Sequence, residues 1–177
     1  MSPDDPEVLA YVGLGSNLGE RLSTLEAVVD QLRRGAISST TLRRGSPVFE
    51  TRPLGPTQGP YLNAVVEVRT SLAPLGLLDA LLALEARHGR TRRERWGPRT
   101  LDLDLLLVTR DHASLALALP RLRLPHPELA RRDFVLTPLA TLRPDLRPHG
   151  DLTVHELLVA LPEAERTIIA QARGPLC

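Results

Sequence analysis

Lysine is missing from this sequence: all 22 basic side chains are arginine. That excludes Schiff-base chemistry and P-loop nucleotide binding, both of which need a lysine amine. It also excludes the protein-kinase plan, whose strand lysine pairs with nucleotide phosphates. Cysteine occurs once, as Cys177, so an internal disulfide and a multi-cysteine zinc site are ruled out. No apolar run approaches the ~20 residues that span a bilayer. The opening MSPDDPEVLA carries acids and prolines where a secretory signal needs positive charge and then an apolar stretch, so a cytoplasmic protein is expected. A formal net charge of +1 gives no general pull toward nucleic acid or anionic membrane. Any phosphate chemistry here must rest on guanidinium groups, metal ions and backbone amides. A guanidinium forks onto two phosphate oxygens at once, which suits that task.

What is present fits one globular domain over residues 1–177, with 42% hydrophobic and 24% charged residues. Residues 1–7 read as a loose leader and residues 166–177 as a mobile tail. Val8 to Gly13 is a short apolar run of strand character. Apolar residues then recur at helical spacing from Leu22 to Leu32, with Asn17 as a cap and Gly35 as the stop. Ile37–Leu42 and Pro47–Glu50 are extended pieces, and Tyr61–Thr70 alternates, with Leu62, Ala64, Val66 and Val68 on one face. A second helix starts near Pro74 and stops at Gly89, and a strand follows with Leu101, Leu103, Leu105 and Leu107 on one side. Further on, short helices are expected near Pro127–Arg132 and at Thr153–Leu161. The order strand, helix, strand, strand, helix, strand predicts an α+β fold with a ferredoxin-like βαββαβ core. Both helices would cover one face of an antiparallel sheet and leave the other face for a ligand.

The strongest chemical signal is Asp102 and Asp104 in RTLDLDLLLV. Strand alternation sends both carboxylates to one face, a spacing that suits one or two hard cations with positions left for phosphate oxygens. On spacing alone, a pair of exposed acids balancing nearby arginines is the commoner reading. Arg90, Arg92, Arg93, Arg95 and Arg99 lie just upstream around Trp96, the only tryptophan. At the rim of a carboxylate pair they would clamp a polyphosphate. Asn63 is the amide on its strand's polar face, and Tyr61 and Phe134 are two of only four Tyr and Phe residues. Such a set suits a flat heterocycle, although both aromatics could equally be core. His126, between two prolines and ahead of Arg131 and Arg132, reads as structural sooner than catalytic, and His88, His112, His149 and His155 fit no metal-ligand spacing. GLGSNLGE does not match the dinucleotide fingerprint and reads as a tight structural turn.

Four blocks carry a resemblance: YVGLGSNLG, ETRPLGPTQGPYLNAVV, ERWGPRTLDLDLLL and LPHPELARRDFVLTPL. In this order and spacing, over about residues 8–145, the chain resembles the 6-hydroxymethyl-7,8-dihydropterin pyrophosphokinases of folate biosynthesis. The resemblance implies Mg²⁺-dependent pyrophosphoryl transfer from ATP to the pterin's hydroxymethyl group, with release of AMP. It implies two Mg²⁺ ions on Asp102 and Asp104, and catalytic roles for these two with Arg90 and Arg99. Glu85, Arg92, Trp96, Arg121, His126 and Arg132 fall where the family contacts ATP. Thr51, Leu54, Tyr61, Asn63 and Phe134 fall where it holds the pterin. The implied partners are these two small substrates, with no nucleic acid and no membrane, and a monomer sooner than an oligomer. The chain departs from better-known members at Arg52, Leu82, Arg123 and Pro127. A ferredoxin-like RNA-binding module would need aromatics on its sheet, and they are 3% of this chain. A non-catalytic pterin or nucleotide binder would have no use for the metal-plus-arginine set.

Overall fold

The structure is a computed structural model that describes residues 8–54, 58–89 and 99–177. Along the chain run β1 (Val8–Ser16), α1 (Arg21–Arg33), β2 (Thr40–Gly45), β3 (Pro47–Thr51), β4 (Tyr61–Thr70), α2 (Pro74–Arg87) and β5 (Asp102–Arg110). Then follow the short strands β6 (Ala113–Ser114), β7 (Leu117–Leu119) and β8 (Leu122–Leu124), α3 (Asp133–Leu142), α4 (Val154–Ala160) and β9 (Ile168–Pro175). The main sheet has the order β6-β5-β1-β4-β3-β9, with β2 also on β4, and its recorded pairings are antiparallel. β5, β1, β4 and the β2–β3 pair form the expected ferredoxin-like core.

One face of this sheet carries Val12, Leu14, Ala64, Val66, Leu103 and Leu105, packed with Leu25, Val28, Leu77, Leu81 and Leu84 of α1 and α2. Hydrophobic burial on this face is the main stabilising term, because each large side chain removed from water contributes about 1.5–3 kcal/mol. Gly35 and Gly89, at φ +80° and +77°, take the left-handed conformation that ends each helix. Asn17 does not cap α1. The helix begins later, after Glu20, and the Asn17 side chain is engaged elsewhere, as described below.

The opposite face is only half open. Val135, Leu136, Leu139 and Leu142 of α3 and Val154 of α4 pack with Tyr11, Val65, Leu106 and Leu107 in a second core. The expectation of a wholly free face is therefore corrected: a third layer covers one end of it. Pro138 disguised α3 in the sequence, since a proline ordinarily breaks a helix, whereas this one is accommodated within it. A second correction concerns the C-terminal stretch read as a loose tail. Residues 168–175 are instead the strand β9, paired with β3. Residues 1–7 lie outside the described residues.

A β-bulge sits in the middle of β5. Tyr11 faces Leu107 and Val12 faces Leu105, so Leu106 has no opposite residue. Leu106 and Leu107 therefore both join the second core, while Val108 returns to the first. This corrects the expected four-leucine row, from which Leu107 has moved to the other face.

The covered half is tied by a polar cluster around the buried Glu67 and Tyr11, with Arg44 reaching it from the surface. Arg44 donates two hydrogen bonds to the Glu67 carboxylate, at 3.2 and 2.9 Å. Tyr11 Oη donates to the same carboxylate at 3.0 Å and accepts from Arg143 at 3.2 Å. Burial alone would push the Glu67 pKa up, but these bonds and the Arg44 and Arg143 charges outweigh it and hold it below the usual carboxylate range. A folded-state pKa below the unfolded one gives stability that is full above the unfolded pKa and drains as pH falls through the folded value. Glu67→Gln should thus lower stability at pH 7 by about 2 kcal/mol. In urea titrations the gap to wild type should narrow as the pH falls below the ordinary carboxylate range, and a gap that stays constant would contradict the charge argument.

Candidate active site

Where the second core stops, the same face opens into a cavity of about 320 Å³. Its floor follows from the register. Asn63 of β4, Gly15 of β1 and Asp102 of β5 lie side by side, and the next row is Val65, Gly13 and Asp104. Along β1 this face reads Tyr11, Gly13, Gly15, so side chains cease where the cavity begins. A Cβ on Gly15 would stand 3.2 Å from Asn63 Oδ1, 3.7 Å from the Asp102 Cβ and 3.9 Å from Tyr61 Cδ1. One on Gly13 would stand 3.3 Å from Leu106. Neither glycine is in the left-handed region, so their role here is spatial. The sequence reading assigned them to a turn. Extending the strand's alternation past Tyr11 would have found them.

Asn63 is 8% exposed, and its Nδ2 donates to Thr51 Oγ1 at 2.7 Å. That bond fixes the amide with its oxygen toward the gap above Gly15. Tyr61, Thr51, Arg52, Leu54 and Phe134 complete this half of the cavity. The Arg132 guanidinium stands 5.7 Å from the Phe134 ring centre, a cation–π distance.

The other half is ionic. Arg99 Nη1 lies 2.6 Å from Asp102 Oδ2. Asn17 Oδ1 accepts from the Arg99 main-chain N–H at 2.7 Å, and Asn17 Nδ2 donates to Gln58 at 2.9 Å. Asn17 thus holds the chain entering β5 against the loop entering β4. Burial, and then the charge of Asp102 beside it, push the Asp104 pKa up. His126 lines the cavity nearby, with its pKa pushed down by burial. Its main-chain N–H bonds the carbonyl of the bulged Leu106 at 2.7 Å. Its Nδ1 accepts from Glu128 N at 3.2 Å, which selects the neutral ring with its proton on Nε2.

Of the residues singled out in the sequence, Thr51, Leu54, Tyr61, Asn63, Arg99, Asp102, Asp104, His126, Arg132 and Phe134 share this cavity. Two do not. Glu85 is buried on α2 and accepts from Leu103 N at 2.6 Å, so it takes the place of a neighbouring strand along the outer edge of β5. Arg121, exposed beside the β7–β8 hairpin, pairs with Asp79 of α2. Arg90, Arg92 and Trp96 lie outside the described residues, so their expected roles have no structural account.

A fixed amide and two aromatic side chains on one side, and a carboxylate pair rimmed by arginine on the other, make up the layout of a group-transfer enzyme. It would bring a flat heterocycle up to a phosphate chain. A sequence model of the 7,8-dihydro-6-hydroxymethylpterin-pyrophosphokinase (HPPK) family matches residues 11–144, and the chain belongs to that family. The 2-amino-4-hydroxy-6-hydroxymethyldihydropteridine pyrophosphokinase of Pseudomonas aeruginosa is 48% identical over 153 residues, covering 86% of this chain and 91% of that protein. The protein of the same name from Synechocystis is 41% identical over 150 residues, covering 84% and 74%. Among solved structures, Plasmodium falciparum HPPK-DHPS superposes over 89% of this chain with a TM-score of 0.67 at 14% identity, a likeness of fold. This chain spans 41% of that longer one. No helix among the described residues is long and apolar enough to cross a membrane.

Proposed function

We infer that this chain transfers pyrophosphate from ATP to the hydroxymethyl oxygen of 6-hydroxymethyl-7,8-dihydropterin and releases AMP, a step of folate biosynthesis. The observation that carries the reading is the row Asn63–Gly15–Asp102, which sets a heterocycle-reading amide one bare strand away from a carboxylate pair. In the transfer, a bond forms between the hydroxymethyl oxygen and the β-phosphorus. The bond from that phosphorus to the oxygen shared with the α-phosphate breaks, and the hydroxyl proton is released.

In this reading Tyr61 and Phe134 flank the pterin ring, and Asn63 Oδ1 accepts from its edge. Leu54 and the main chain at Thr51 close that wall. Arg132 and His126 face the phosphate chain, and Arg121 would reach it by leaving its exposed partner Asp79. Arg99 sits on the path between the two substrates, where a fixed guanidinium stabilises charge that builds on the transferring group. Asn17 and Asp102 hold this residue by hydrogen bonds, and a donor fixed in place needs little reorganisation at the moment of reaction.

The carboxylate pair fits a hard cation. Two acids are held close enough for the Asp102 charge to raise the Asp104 pKa, a repulsion that a cation would relieve. Two carboxylates supply only part of the oxygen shell that Mg²⁺ takes, and water and phosphate oxygens would complete it. Asp102 and Asp104 would hold Mg²⁺, as two ions, and the metal would supply positive charge to the phosphate oxygens. The chain would act as a cytoplasmic monomer on its two small substrates.

The test is incubation with ATP, Mg²⁺ and the pterin, followed by separation of the nucleotides. AMP that accumulates only when the pterin is present is the expected result. ADP in its place would mean transfer of a single phosphoryl group and would overturn the assignment.

A further inference from the structure

The segment 166–168 lies beyond residues 11–144, which the family model matches, yet it is bonded to both walls of the cavity's aromatic half. On one side is Asp133, the first residue of α3, placed between the cavity residues Arg132 and Phe134. Asp133 is 2% exposed, and its carboxylate accepts three hydrogen bonds from this segment. They come from Thr167 N at 2.6 Å, Thr167 Oγ1 at 2.6 Å and Ile168 N at 2.8 Å. On the other side is Arg52, which lines the cavity between Thr51 and Leu54. Its main-chain N–H donates to the Thr167 carbonyl at 2.9 Å, and its guanidinium donates to the Arg166 carbonyl at 2.9 Å. Thr51 is also paired in the sheet with Ile168.

Thr167 is thus held through its amide and hydroxyl by the Phe134 wall, and through its carbonyl by the Thr51–Leu54 wall. A slot for a flat ring depends steeply on the separation of its walls, because a displacement of even 1 Å misplaces the reacting atom. A buried carboxylate with all three of its donors in place also resists displacement, since any opening leaves charge without a partner.

We propose that Thr167 is a positioning residue for the pterin pocket, setting the distance between Phe134 and the Thr51–Leu54 wall by bonding to Asp133 and Arg52 at once. The proposal rests on reading this half of the cavity as the pterin's. It makes the C-terminal strand part of the substrate-binding apparatus, and it gives Arg52 a positioning role of its own. Deleting the Thr167 hydroxyl should loosen the slot more than it disturbs the ionic half.

The experiment compares Thr167→Val, which keeps the side-chain shape but loses the donor, with Thr167→Ser, which keeps the donor. Steady-state constants are measured for both substrates, with pterin binding by calorimetry as a second readout. Thr167→Val should raise the KM for pterin about fivefold, the loss of one hydrogen bond, and shift the KM for ATP less, through Arg132 beside Asp133. Thr167→Ser should stay within about twofold of wild type. Glu67→Gln, which loosens the far, covered half of the same face, should lower stability with no change in the pterin KM. A wild-type pterin constant in Thr167→Val, a parallel rise in both KM values, or an equal defect in Thr167→Ser would each overturn the proposal. If the valine variant does not fold, Asp133→Asn must move the pterin constant in the same direction, and an unmoved constant overturns the proposal. Asn63→Ala, run alongside, separates the two levels of the argument: if it leaves pterin binding intact, the pocket itself has been misplaced.

Discussion

Asp104→Asn should lower turnover about a thousandfold, on the scale seen when a site loses a main source of charge stabilisation, and should leave the fold at least as stable. The second half of that expectation follows from electrostatics. In the folded chain Asp104 is half-buried with Asp102 beside it, and loss of water and then the Asp102 charge raise its pKa. A neutral amide of the same shape removes both the desolvation cost and the repulsion. A residue kept at the expense of stability marks a site where the charge is needed for something other than folding. Asp102→Asn should cost as much activity, but it also weakens the 2.6 Å bond to Arg99 and so gains no stability. The measurements are turnover with ATP and pterin, and the melting temperature of each variant. An active Asp104→Asn protein, or one whose melting temperature collapses, would show that the carboxylate serves the structure instead of the reaction.

The second large effect is expected at a residue with no side chain. Gly15→Val should weaken pterin binding ten- to a hundredfold, the range for a substrate displaced by about 1 Å. A Cβ there already stands 3.2 Å from Asn63 Oδ1, so the branches of valine must displace the amide or fill the space above the floor. The backbone offers no objection, because Gly15 has no left-handed φ and valine suits a strand. Stability should therefore hold while binding is lost. Gly15→Ala is the milder case, with an effect set by how far the amide can yield. Calorimetry with the pterin alone reads this without any turnover. Unimpaired binding in the valine variant would mean that the ring lies elsewhere.

Much of this site was legible before any coordinates. Period-two alternation placed Asp102 and Asp104 on one face and Asn63 on the polar side of its own strand, because alternation is a local property of extended backbone. The cavity bears out both. What stayed hidden was non-local. Asn17 read as a helix cap because asparagine before an apolar periodic run usually is one, and only tertiary structure brings Arg99 and Gln58 to it. Glu85 read as a nucleotide contact, and its bond to a strand amide 18 residues further on could not be read from spacing. Pro138 concealed α3, and with it the layer that closes half the face. The weak apolar pattern of Ile168–Pro175 concealed an edge strand, which needs burial on one side at most and so leaves little trace in hydropathy.

The bulge at Leu106 bears on how this chain can vary. On either side of it β5 obeys opposite parities: even-numbered residues face the cavity before it, odd-numbered residues face the second core after it. The carbonyl released from the ladder at that point is the one that receives His126. The irregularity is therefore a joint between two rulers that happen to share a strand, and the histidine is pinned to the joint. Apolar side chains that face the cores can be exchanged for others of like size. The count between Asp104 and Leu107 cannot change, because a residue gained or lost there would turn one ruler over and unseat His126 in the same stroke.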